Sequence, residues 1–164
     1  MEIERPSVRL NFLAIIFAAV LCFLLHVGWY GYFVKSQFAG IGRTREWLMN
    51  TGVNPAIQDA TALISMAVMA TVLSYFIQRT GRQTVFRGIW IAFWMWLGIV
   101  ATILATDYVF EVRTYALYAI NAGFWLADMI VMGIILGAWK TRVVIPVTPA
   151  PIPPASPKPP ATKL

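Results

Sequence analysis

LNFLAIIFAAVLCFLLHVGWYGYFV, residues 10–34, runs for 25 residues without Asp, Glu, Lys or Arg. As a helix rising 1.5 Å per residue it would reach about 37 Å, longer than the ~30 Å hydrocarbon core of a bilayer. One crossing with tilt is therefore expected. A cleaved signal peptide would carry a shorter apolar region and a small-x-small exit, whereas this stretch leaves through Trp29, Tyr30, Tyr32 and Phe33. Leu21 before Cys22 also departs from a lipoprotein cleavage site, so a retained helix is predicted.

Three more blocks follow the same pattern. The second opens at Asn54-Pro55, where asparagine can cap free amides and proline fills the first helical position, whose N–H has no partner to lose. Arg79 and Gly81 then supply a cation for the helix dipole and a residue able to turn left-handed, which predicts a stop near residue 78. Gly88 to Thr106 is uncharged, and Thr114 to Trp139 is interrupted only by Asp128. The predicted architecture is an all-α integral membrane four-helix bundle, with helices over about 10–34, 55–78, 88–106 and 114–139. A short segment, 1–9, precedes it.

The whole chain agrees with that reading. Of its 164 residues 59% are hydrophobic and 12% charged, with a mean hydropathy of +0.69, against roughly 25% charged in a soluble domain. A water-soluble monomer is excluded. The single cysteine, Cys22, allows no internal disulfide, and the single histidine, His26, rules out paired-histidine metalloprotease motifs. No glycine-rich phosphate loop occurs. No metal site, cofactor or enzymatic activity is expected from these residues.

Positive side chains orient the crossings. Arg5, Arg9, Arg79, Arg82, Arg87, Lys140, Arg142, Lys158 and Lys163 fall on one face, and Lys35, Arg43, Arg45 and Arg113 on the other. Nine against four predicts both termini in the cytoplasm. The net charge of +6 implies attraction to anionic lipid headgroups on that side, with no nucleic-acid partner. Beyond residue 142 the chain holds eight of its ten prolines, the composition of a solvated, disordered cytoplasmic tail. Between the first and second helices, Arg45-Glu46-Trp47-Leu48-Met49 reads as one interfacial turn ended by Gly52, with Trp47 at headgroup level.

Few residues suggest chemistry. Asp128 falls about 21 Å below Thr114 along its helix, near mid-bilayer, where a carboxylate costs about 2.5–3.5 kcal/mol and must face protein or a wet cavity. Asn121, seven residues earlier, shares its face. His26, about 12 Å below Val34, is expected at the level of Asn121 and placed to hydrogen-bond it if their helices are neighbours. The preferred reading of Asp128, Asn121 and His26 is polar glue between helices; a proton or cation relay through Asp128 is the alternative. His26 is also the candidate ligand for a pigment or haem. Asp107, Glu111 and Arg113 read as a solvated hairpin between the third and fourth helices, with Arg113 balancing Glu111.

The remaining features concern packing and anchoring. Trp29 with Tyr30, Trp47, Trp90 and Trp139 are expected as interfacial anchors, while Trp96, deeper in its helix, is expected to fill the interior. Gly133 and Gly137 form a GxxxG pair that lets another backbone approach, within the bundle or from a second subunit.

Trp29-Tyr30, Arg45-Glu46-Trp47, Glu111-Val112-Arg113, Asn121-Ala122-Gly123-Phe124 and Gly133…Gly137-Ala138-Trp139 together resemble the bacterial family called domain of unknown function 1761, over about residues 12 to 140. The resemblance implies a four-helix inner-membrane protein without an established activity, cofactor or partner. The expected role is a non-catalytic accessory, assembly or structural subunit, as a homo-oligomer or in a larger membrane complex. Two alternatives stand beside it: a small proton-coupled carrier using Asp128 and Asn121, and a pigment-, quinone- or lipid-binding subunit.

Overall fold

The computed structural model describes residues 10–140. The proline-rich tail and the N-terminal segment 1–9, with their cations, lie outside the described residues. The elements are α1 (Phe12–Ile41), α2 (Arg45–Asn50), α3 (Pro55–Arg79), α4 (Val85–Met95), a π-helical segment (Trp96–Ala101), α5 (Thr102–Phe110) and α6 (Tyr115–Ala138). α4, the π segment and α5 form one continuous crossing, giving four helices long and apolar enough to span a membrane.

Side-chain caps set most of the starts. Asn11, Thr44, Asn54, Thr84 and Thr114 each accept a hydrogen bond from an amide in the first turn that follows, replacing the partner that a helix start lacks. α3 stops where expected, at Arg79, with Gly81 at φ +115°. The short turn α2 also forms as predicted, followed by Gly52 at φ +69°.

α1 is longer than expected. It runs through Lys35 and Gln37 to Ile41, seven residues beyond the predicted end at Val34. Polar residues mark the edge of hydrocarbon but do not break a helix. The break comes at Gly42, φ +65°, with Gly42 N–H donating to the Ala39 carbonyl and Arg43 N–H to that of Phe38. At 30 residues α1 measures about 45 Å, so its last turns stand above the hydrocarbon. The third crossing likewise runs on to Phe110, which puts Asp107 inside a helix rather than in the hairpin.

The π segment has a clear effect on packing. Its wider turn adds one residue and re-phases the helix. Gly88, Ala92 and Trp96, spaced by four, turn inward before it; Ala101, five beyond Trp96, then Ala105 and Tyr108 turn inward after it. An uninterrupted α-helix would point one half of this crossing away from the bundle.

α6 is the central helix, packed on α1, α3 and α4. It faces α1 in antiparallel register: the Cys22 thiol lies 3.6 Å from the Asp128 carbonyl, the His26 and Phe124 ring centroids are 5.3 Å apart, and Tyr30 reaches Asn121. Phe17 and Trp139 meet at 5.9 Å, so the start of α1 and the end of α6 share one end of the bundle. At this end Gly133 and Gly137 press against α4. A Cβ on Gly133 would sit 2.6 Å from the Gly88 carbonyl oxygen, and one on Gly137 2.5 Å from that of Thr84. The GxxxG pair therefore serves a contact within the chain, and both glycines are buried there rather than offered to a second subunit. Gln83 closes the same end by donating to the carbonyls of Leu136 (2.5 Å) and Trp139 (2.9 Å).

Candidate functional site

Asn121 is the hub of the opposite, α2-bearing half. Its Oδ1 accepts from the Tyr30 hydroxyl at 2.6 Å and from Gln37 Nε2 at 3.3 Å. Its Nδ2 donates to the Tyr108 hydroxyl at 2.5 Å and to the Leu117 carbonyl at 3.1 Å. A carboxamide offers two donors and two acceptor lone pairs, and all four are used. Asn121 thus ties α1, α5 and α6 together, as glue does.

The expected bond from His26 to Asn121 is not made; Tyr30 takes that place. Because α1 and α6 face each other with Asp128 beside Cys22, His26 falls level with Phe124, one turn below Asn121, while Tyr30 comes level with it. The His26 ring instead packs against Tyr30 (4.7 Å) and stacks on Phe23 (6.4 Å), and its Nδ1 is buried with no hydrogen-bond partner among the described residues. Tyr30 is consequently an interior ligand of Asn121 rather than a simple interfacial anchor. Trp29 departs from the anchor role too, donating its indole N–H to the Ile120 carbonyl at 3.2 Å. From the other side Trp96 donates to the Ala122 carbonyl at 2.9 Å, so two indoles clamp α6 on either side of Asn121. Trp47, Trp90 and Trp139 are exposed.

Asp128 is fully buried, 0% exposed, which shields it from lipid as expected. It shares the buried face of α6 with Asn121, yet neither carboxyl oxygen has a hydrogen-bond partner among the described residues. Glu111 pairs with Arg113 in the hairpin, a half-exposed ion pair of small energetic weight.

Beside the hub, residues of α1, α2, α3 and α6 border a common space. The space between them is an open groove of about 710 Å³, lined by His26, Tyr30 and Gln37 of α1, Trp47 of α2, Asp59 and Met66 of α3, and Trp125 of α6. That size is within the range of small-molecule sites. Two buried polar atoms of its lining, His26 Nδ1 and Gln37 Oε1, have no partner among the described residues. The sequence reading passed over Gln37, Tyr108 and Asp59. Gln37 stood in a supposed loop, and its three-turn spacing from His26 on one helix was the signal that could have joined them.

Three apolar crossings packed around a fourth, central one, with a polar hub and a groove at one end, define a multi-pass helical membrane protein. The family model described as Protein of unknown function (DUF1761) matches residues 13–137, and the chain belongs to that family. No curated protein and no solved structure matches it.

Proposed function

We propose that the protein is a non-catalytic accessory component of a bacterial inner membrane whose task is to hold an amphiphilic molecule in the groove between α1 and α3. Both termini are cytoplasmic in this reading, which puts the groove on the outer side, and a larger assembly forms through faces other than Gly133 and Gly137. One observation carries it: a groove of about 710 Å³ whose lining includes two buried polar atoms without partners among the described residues. Unsatisfied buried polar atoms are costly and point to a ligand or water that completes them.

Mass spectrometry of everything retained after gentle-detergent purification tests the proposal. The expected result is an amphiphile at about one copy per chain, lost from Ala62→Trp, which fills the groove, at an unchanged melting temperature. A wild-type preparation free of amphiphile would sink it. A visible band that copurifies and vanishes in His26→Ala would make the occupant a pigment.

The unpartnered carboxyl of Asp128 supports a second reading, a proton-coupled carrier. Its mark would be an Asp128→Asn protein that assembles normally but loses proton-coupled flux in proteoliposomes.

A further inference from the structure

We propose that the occupant of the groove is a phospholipid whose headgroup bears a primary ammonium, as in phosphatidylethanolamine, taken from the leaflet at the α2 end; this rests on the groove being an amphiphile site. The hydrogen-bonding inventory of the lining leads to it. Gln37 gives one N–H to Asn121, and its buried Oε1 is an acceptor with no partner among the described residues. Thr61 spends its hydroxyl hydrogen on the Ile57 carbonyl at 2.7 Å, so its Oγ1 also has lone pairs to offer. Asp59 adds a carboxylate, which can only accept, and no Lys or Arg is among the described residues lining this groove.

The lining also holds donors, among them Gln58 and Ser65, but its one charged side chain is the Asp59 carboxylate, and a negative charge beside free acceptors favours a cation rich in N–H. A primary ammonium has three donors; a choline head has none, and a glycerol head lacks the positive charge. The phosphate has a partner just outside: the Arg43 guanidinium stands 4.3 Å from the centre of the Trp47 ring, and Trp47 lines the groove. The tail has a track as well. From Gln37 down to His26 the groove follows α1 for about 16 Å, close to half the thickness of a ~30 Å hydrocarbon core, past Ala62, Met66 and Trp125.

The test uses the full chain, delipidated in detergent and titrated by native mass spectrometry with phosphatidylethanolamine, phosphatidylcholine and phosphatidylglycerol of identical acyl chains. One phosphatidylethanolamine is expected to bind at about tenfold lower concentration than either competitor, the scale of one charge-assisted contact. Asp59→Asn should bring it to within about twofold of phosphatidylcholine, and Thr61→Val should narrow the gap less, as a lost neutral contact does. Both positions are exposed, and a melting curve of each variant confirms that it is folded. Equal binding of the ethanolamine and choline lipids, with Ala62→Trp abolishing both, overturns the headgroup assignment and leaves the groove reading intact. Tighter binding of phosphatidylglycerol overturns the assignment too. Lipid binding that Ala62→Trp leaves untouched removes the groove reading and this proposal together.

Discussion

The two halves of the bundle are held by different means. At the end carrying Phe17 and Trp139, the backbones of α4 and α6 touch through Gly88, Gly133 and Gly137, leaving no room even for a methyl group. At the α2 end Gly40 of α1 packs on the Leu117 side chain rather than on backbone, and hydrogen bonds converging on Asn121 join α1, α5 and α6. Lipid tails are as apolar as leucine, so membrane helices gain little by burying apolar surface and associate through close packing or polar contacts. Close packing seals one end here. Polar contacts hold the other while leaving space beside them, and the groove is that space.

The sharpest way to break the contrast is at the seam. Gly133→Leu forces a side chain into the Gly88 main chain, and backbone cannot yield as a flexible side chain would. Overpacking of this kind costs about 1–3 kcal/mol or more, and the expected result is the largest loss of melting temperature of any variant here, with unfolded or aggregated protein in detergent. A Gly133→Leu protein that melts like wild type would mean that α4 and α6 do not meet here.

Asn121→Leu attacks the other half. It leaves Tyr30, Gln37 and Tyr108 without their shared partner, and about 2 kcal/mol is expected from several interhelical bonds averaging near 0.6 each. The effect should concentrate at the α2 end, read as faster amide exchange in the outer turns of α1 and α5 with the seam still protected. A double-mutant cycle with Tyr30→Phe should return a coupling near 0.6 kcal/mol. His26→Phe in place of Tyr30→Phe should show no coupling to Asn121 beyond error, which separates the observed register from the expected one.

Asp128→Leu has the smallest and most diagnostic effect. A buried carboxyl without partners among the described residues adds no hydrogen bond, so leucine, an apolar residue with the same branched skeleton, should leave stability unchanged or raise it by about 1 kcal/mol. A drop of 2 kcal/mol or more in a denaturation series would reveal that Asp128 holds the helices together after all.

Much of this was legible in the residues. Uncharged stretches longer than the bilayer is thick announce crossings, and Asn54, Pro55, Arg79 and Gly81 bound α3 because caps and stops act over a single turn. The burial of Asp128 was also readable, since a mid-membrane carboxylate has no affordable alternative. Three things were not. The end of α1 was placed at Val34 because charge was read as a stop, although only Gly42 turns the chain. The partner of Asn121 was assigned to His26 from depths counted separately on two helices, and an error of about one turn in their relative height moves the bond to Tyr30. The π segment leaves no local signature; it exists so that Trp96 and Ala101 can both face α6.

Local chemistry, in which each residue meets hydrocarbon, water or its own helix turn, was enough to set the number of crossings, their approximate ends and the sheltering of Asp128. Which faces meet, and at what height, depends on pairs of residues far apart in the chain. A glycine seam between α4 and α6, a hub joining Tyr30, Gln37 and Tyr108, and the groove they leave open arise from the relative rotation and shift of whole helices. A shift of a single turn, about 5.4 Å, would rewrite all of those contacts while leaving every helix as it is.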